Sequence, residues 1–120
     1  DIPPLKQTIE EVCEEYKKGI ILKKVDDRGV IIGSVRAYQE GQTVYIGKLM
    51  VHPEMQKQGI GTKLLCEIEN QYPNQRYELF TSTKSIDNIR LYERLGYKKY
   101  KEEIVTPELQ LVYLEKCNGR

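Results

Sequence analysis

No stretch of this 120-residue chain approaches the roughly 20 consecutive apolar residues that a bilayer span requires, and no signal-peptide pattern opens it. Net charge is also lacking: 19 Lys and Arg against 18 Asp and Glu leave a formal +1. That balance excludes a general pull towards nucleic acid or an anionic membrane, so any anion site must be local. Cysteine is sparse, and Cys13, Cys66 and Cys117 stand far apart and odd in number. Such spacing argues against a metal pair and against a disulfide framework, and no metal is expected. Repeats, linkers and low-complexity segments are missing as well. The cytoplasm is the expected compartment.

What remains is an ordinary globular balance, 39% hydrophobic and 31% charged, at the length of one domain. In "DIPPLKQTIEEVCEEYKKG", Thr8 reads as an N-cap with Glu11 at capping-box spacing. Ile9, Val12, Cys13 and Tyr16 fall on one face, so a loop followed by a helix is predicted. "GIILKKV", "VIIGSVRAYQ" and "VYIGKLMV" are β-rich runs separated by the turn signals "DDRG" and "EGQT", an antiparallel meander. From Gly59 the period changes, and Ile60, Leu64, Leu65, Ile68 and Tyr72 form a helical stripe, beside which Cys66 is expected in the core. "RYELFTS" reads as a strand. "SIDNIRLYERLG" reads as a second helix, with Ile86, Ile89, Leu91 and Leu95 apolar and Gly96 at its end. "YKKYKEEI" and "LQLVYLEKC" close the chain as an antiparallel pair around "VTPE". The expected class is α/β or α+β, a mixed sheet with helices.

The stretch with most chemistry is "VHPEMQKQGIGTKLL" (51–65), where an apolar strand enters a helix through glycines. The first amides of a helix have no internal partner, and with the helix dipole they favour an anion. Gly59 and Gly61 remove side chains that would keep a diphosphate from the backbone; Lys57 and Lys63 add charge and Thr62 a hydroxyl. The same residues also fit a plain strand–helix turn with surface lysines. Neither common nucleotide fingerprint is met. Thr62 precedes Lys63 and the glycines are too close for a P-loop, and Leu64 replaces the third glycine of G-x-G-x-x-G.

Gln56-Lys57-Gln58-Gly59-Ile60-Gly61, after "LMVHP", resembles the Q/R-x-x-G-x-G/A signature of GNAT-type N-acetyltransferases. Asn88, Tyr92, Gly96 and Tyr97 resemble the family's later N-x-x-x-Y-x-x-x-G-F/Y segment. Two signatures in the right order, with a strand between, are far more specific than either alone. The resemblance implies a single GNAT-like domain over 1–120: a mixed, mostly antiparallel twisted sheet flanked by helices, with two strands splayed at a cofactor cleft. The family's first strand and helix have no counterpart in this reading, so part of the acceptor site is expected to be absent from the chain.

The resemblance further implies that acetyl-CoA, as co-substrate, lies between "YIGKLMV" and "YELFTS". The backbone of Leu49, Met50 and Val51 would pair with the pantetheine arm, and Asn88 would hydrogen-bond to it. The amides of Gln58, Gly59, Ile60, Gly61 and Thr62 would hold the diphosphate, beside Gln56 and Lys57. Tyr92 would act as general acid: a phenol of pKa about 10 is protonated at neutral pH and can donate to a sulfur whose thiol pKa is about 8.5. The base is open. An alkylamine of pKa about 10.4 is mostly protonated, and freeing it at pH 7 costs roughly 4–5 kcal/mol. Many relatives place a carboxylate where this chain has Gly47 and Lys48. Glu78, His52 and a backbone-held water are the weak candidates, with His52 expected to be structural. Lys48 can favour a carboxylate-bearing substrate, and Arg90 or Arg94 the CoA 3′-phosphate, although solvated surface cations are the commoner case. The expected activity is direct acetyl transfer to a primary amine of a small molecule, peptide or protein. A non-catalytic CoA-binding sensor or interaction module is the alternative. Partners are acetyl-CoA and an amine acceptor, with self-association as a homodimer left open and neither nucleic acid nor membrane expected.

Overall fold

A computed structural model describes residues 10–16, 19–56 and 58–117, the side chains of 10–16 and of Lys48 excepted. Strands β1 (Glu10–Tyr16), β2 (Gly19–Val25), β3 (Ile31–Glu40) and β4 (Thr43–Val51) form an antiparallel meander. A 3-10 turn at Pro53–Met55 leads to α1 (Ile60–Gln71), β5 (Arg76–Ser82), α2 (Ile86–Arg94), β6 (Lys98–Thr106) and β7 (Leu109–Cys117). The seven strands lie in the order β1-β2-β3-β4-β5-β7-β6, and β4–β5 is the parallel pair. This is the mixed, mostly antiparallel α+β sheet expected from the sequence. Among the described residues no helix is long and apolar enough to cross a membrane.

The N-terminal helix is overturned. Glu10–Tyr16 is a strand, paired with β2 from Glu10↔Val25 to Tyr16↔Gly19; Thr8 and Ile9 lie outside the described residues. Without β1, the outer edge of β2 would present a row of unpaired backbone groups. A continuous ladder there outweighs the weak helical preference of so short a segment.

The core lies on one face of the sheet. Alternate residues of the strands, among them Leu22, Val35, Ala37, Val44, Tyr77 and Leu114, meet Leu64, Leu65 and Ile68 of α1. Ile89 and Tyr92 of α2 join the same cluster, while Ile86, read with them as apolar, is half exposed. Cys66 is exposed, against the core placement expected for it. A helix turns about 100° per residue, which swings position 66 off the buried stripe ended by Leu65. The opposite face carries no helix among the described residues. There Tyr38 stacks on Tyr45 and Phe80 packs against Tyr113, each pair at 5.3 Å between ring centroids.

Gly33 sets how closely α1 approaches the sheet. A Cβ at that position would lie 2.8 Å from Ile60 Cγ2 and 3.1 Å from Leu64 Cδ1. Gly33→Val should therefore push the first turn of α1 off β3, at a cost of about 1–3 kcal/mol. A lower urea midpoint at unchanged slope checks this; an unchanged midpoint would show that α1 is not seated there.

Candidate functional site

β4 and β5 start side by side and then part. Their ladder holds only Thr43↔Arg76, Val44↔Tyr77 and Tyr45↔Glu78. Past that point β4 stays paired with β3, as in Ser34↔Met50, and β5 with β7, as in Phe80↔Tyr113. The result is a wedge between residues 46–51 and 79–82, open at the end where α1 begins.

A bulge shapes the β4 wall. Arg36 faces Gly47, while Ser34 faces Met50, so Lys48 and Leu49 together oppose Val35. The extra residue reverses the side-chain parity. Val44 and Ile46 are buried towards α1, yet beyond the bulge Leu49 and Val51 are the ones beside Gly61 of α1. Bulges bend a strand and increase its twist, and this one lies on the part of β4 that has already left β5. Gly47 stands at the bulge with nothing within 4 Å of a Cβ there. A glycine inside a strand is the sequence signal for such a feature, one that a reading by β-rich runs alone overlooks.

The turn from β4 into α1 is built by local bonds. His52 accepts the Glu54 N–H on Nδ1 at 3.2 Å and caps the 3-10 turn, the structural part expected of it. Gln56, the first position of the signature, donates from Nε2 to the Val51 carbonyl at 3.2 Å. Gly59 is the N-cap, at φ +83 and ψ 6, with no side-chain cap. The first intrahelical bond runs from Lys63 N–H to the Gly59 carbonyl at 3.0 Å. The N–H groups of Ile60, Gly61 and Thr62 thus have no partner among the described residues, and no acidic side chain occupies the first turn. Helix starts usually attract Asp or Glu; here the first turn carries neither. Lys57 lies outside the described residues.

The two glycines serve different ends. Gly59 adopts a left-handed conformation with open space around it. A Cβ on Gly61 would meet Leu91 Cδ2 of α2 at 3.1 Å, so its bareness admits the neighbouring helix rather than a ligand.

Tyr92 is 4% exposed on the inner face of α2. Burial pushes its phenol up to about 12. Its hydroxyl has no hydrogen bond among the described residues, yet no fully buried side-chain polar atom is left unpartnered. The hydroxyl is therefore not fully enclosed, although the side chain around it is buried. Asn88 is exposed and lines an open hollow of about 330 Å³ with Lys84, Ser85, Ile86 and Asp87. Arg90 and Arg94 are exposed, and β6 is exposed throughout, as expected for "YKKYKEE".

Glu78 sits at the apex of the wedge, on the face opposite the helices. Arg76 donates to it at 2.8 Å and to Glu115 at 2.7 Å, and lies 5.2 Å over the Tyr100 ring. Burial opposes the Arg76 charge, but bonds to Glu78, Tyr100 and Glu115 outweigh it and raise the guanidinium above its ordinary range. Glu78 is thus engaged rather than free.

A family model for the acetyltransferase (GNAT) family matches residues 3–97. The chain belongs to the GNAT acetyltransferases. Among solved structures, the ribosomal-protein-S18-alanine N-acetyltransferase of Escherichia coli superposes with a TM-score of 0.77 at 15% identity, over 88% of this chain and 73% of that one. An acetyltransferase from Bacillus cereus gives 0.71 at 25% identity, over 94% and 76%. A GNAT acetyltransferase from Elizabethkingia anophelis, solved with acetyl-CoA bound, gives 0.71 at 19%, over 83% and 76%. No curated protein matches. In this GNAT chain both signatures fall on the wedge or on the helices that close one side of it.

Gly61→Ala should lower stability by about 1 kcal/mol through the Leu91 contact, and by less in a Leu91→Ala background. Thermal melting of the four proteins checks this. Equal losses in both backgrounds would mean that Gly61 is not held bare by α2.

Proposed function

We propose that this protein is an N-acetyltransferase that moves an acetyl group from acetyl-CoA directly to a primary amine. The observation that carries the reading is the coincidence of the β4–β5 wedge with three unpaired amides at the mouth of α1. The donor set fits the co-substrate: amides and a helix dipole for the diphosphate, and a bare Gly59 that allows close approach. The wedge adds a β4 edge at Leu49–Val51 that has no strand on its β5 side among the described residues, its Val51 carbonyl held by Gln56. An extended arm adds to that edge as a strand would. Lys57 and Gln58 flank the same mouth in sequence.

Acetyl-CoA, when bound, supplies an activated thioester. The chain's own part is to position it, exclude competing geometry and place a donor near the sulfur. Tyr92 is assigned that donor role. Because burial holds its phenol at about 12, it remains protonated through the neutral and mildly alkaline range and offers a hydrogen bond to the departing thiolate. Transfer is direct: Cys66 lies on α1 and Cys117 pairs with Arg76 at the end of β5 remote from the wedge. With α1 and α2 on one face, the amine reaches the wedge from the other, past Phe80, which is 53% exposed, and the open space at Gly47. No residue is assigned as base. Neither wall carries a carboxylate and Glu78 is engaged by Arg76, which also keeps the non-catalytic CoA-binding module as a second reading. Release of free CoA in the presence of a panel of amines separates the two.

Calorimetry with acetyl-CoA tests the binding site. Gly59→Asn tolerates the left-handed backbone, whereas Gly59→Asp adds a carboxylate at the same place. Affinity should fall about tenfold further for Asp than for Asn, the order of a close like-charge penalty in a partly shielded site. Equal affinities would remove the diphosphate from the mouth of α1.

Tyr92→Phe should lower kcat about 10²-fold, the range for a positioned acid, with acetyl-CoA affinity nearly intact. The donor is lost only as pH rises through its raised pKa. A fall in kcat centred near the ordinary phenol value of about 10, present in the wild type and gone in Tyr92→Phe, would contradict the burial-raised value and its cause.

A further inference from the structure

Tyr97 follows the glycine that ends α2, and it is 1% exposed. Its hydroxyl donates to Glu69 Oε2 at 2.9 Å. Both Glu69 oxygens accept from Lys116 Nζ, at 3.0 and 3.1 Å. That ammonium also lies 5.6 Å from the Tyr97 ring centroid. Gly96, at φ +102, leaves room for the Lys116 chain, whose Cε is 3.4 Å from the place of a Cβ. Tyr97 is joined to Tyr92 twice: its N–H donates to the Tyr92 carbonyl at 3.0 Å, and the two rings lie 6.2 Å apart, tilted by 57°.

This cluster is not needed merely to hold α1 to the sheet. Tyr77 already does that, donating from its hydroxyl to the Tyr72 carbonyl at 2.6 Å and, more distantly, to that of Glu69. A backbone carbonyl suffices for Tyr77, whereas Tyr97 is given a carboxylate and a cation. Tyr92, by contrast, has no hydrogen bond among the described residues to aim its hydroxyl, so packing directs its ring. Within the core cluster around Tyr92, Tyr97 is an aromatic neighbour in that packing.

We propose that Glu69 is a positioning residue: with Lys116 it locks the Tyr97 ring, and Tyr97 in turn holds the Tyr92 hydroxyl towards the β4–β5 wedge. The inference rests on the donor role assigned to Tyr92. Glu69 and Lys116 belong to α1 and β7, whereas Tyr97 and Tyr92 belong to α2 and its exit, so the cluster joins three elements around one hydroxyl.

The test begins without substrate. Protein labelled with ¹³C at tyrosine Cζ gives a Tyr92 resonance, assigned by its loss in Tyr92→Phe. Glu69→Gln keeps an acceptor for Tyr97 and should leave that resonance in place. Glu69→Ala and Tyr97→Phe should shift or broaden it while the Tyr77 resonance stays, which a general loss of structure would not do. A Tyr92 resonance unmoved by both variants overturns the proposal. Turnover is then measured with any amine found to release CoA. Tyr97→Phe should lower kcat about tenfold with Tyr92 present and not at all in Tyr92→Phe, the non-additivity of groups acting as one, with KM for acetyl-CoA held within about twofold. Equal factors in both backgrounds overturn the proposal while the role of Tyr92 stands. A Tyr92→Phe rate equal to wild type instead removes the donor role, and the resonance alone then decides whether Glu69 orients the ring. If Tyr97→Phe does not fold, Glu69→Ala against Glu69→Gln carries the same comparison.

Discussion

The parallel ladder between β4 and β5 ends after Tyr45↔Glu78, and the rest of the site follows from that break. Beyond it each strand keeps only its outer partner, β3 for β4 and β7 for β5. The bulge at Lys48–Leu49 adds twist beyond that break. α1 leaves from the far end of β4 and returns the chain to β5, so its N-terminus stands at the open mouth of the wedge. A sheet edge in search of a strand and a helix start in search of an anion thus come to lie side by side.

Packing then divides labour among residues of the same type. Gly33 lets α1 rest on β3 and Gly61 lets α2 rest on α1, whereas Gly59 is bare because its backbone is left-handed. The aromatic residues divide in a similar way. Tyr77, Tyr92 and Tyr97 are buried on the helical side, two of them with hydroxyls bonded to α1 or its C-cap. Tyr38, Tyr45, Phe80 and Tyr113 cover the helix-free face, in company with Arg76 and Lys101. One set packs among the helices, and the other lines the face of the sheet opposite them.

Much of the architecture is legible in the residues themselves. "RYELFTS" coincides with β5 at both ends, because it lies between a polar turn and a helical period. The stripe of Ile60, Leu64, Leu65 and Ile68 marks α1, since burial on one side of a helix imposes that spacing. The two signatures fall on the turn into α1 and on α2 with its exit. The N-terminal segment is the exception: its capping-box spacing is a local signal, and the unpaired edge of β2 that recruits it is not. Cys66 departs more narrowly, because one step along a helix carries a side chain off the buried stripe.

Neighbours in the chain are enough to specify the order of most elements, the glycine-marked helix mouth and the family, since each of these is written in short runs of residues. The fold had to form before Glu78 could be held by Arg76 and Glu115, before Gly61 made way for Leu91, and before Glu69 reached Tyr97 and Lys116. Most of those contacts join positions that strand order and helix packing bring together from distant parts of the chain. Periodicity can show which face of an element is buried, but not which side chain from another element it will meet there.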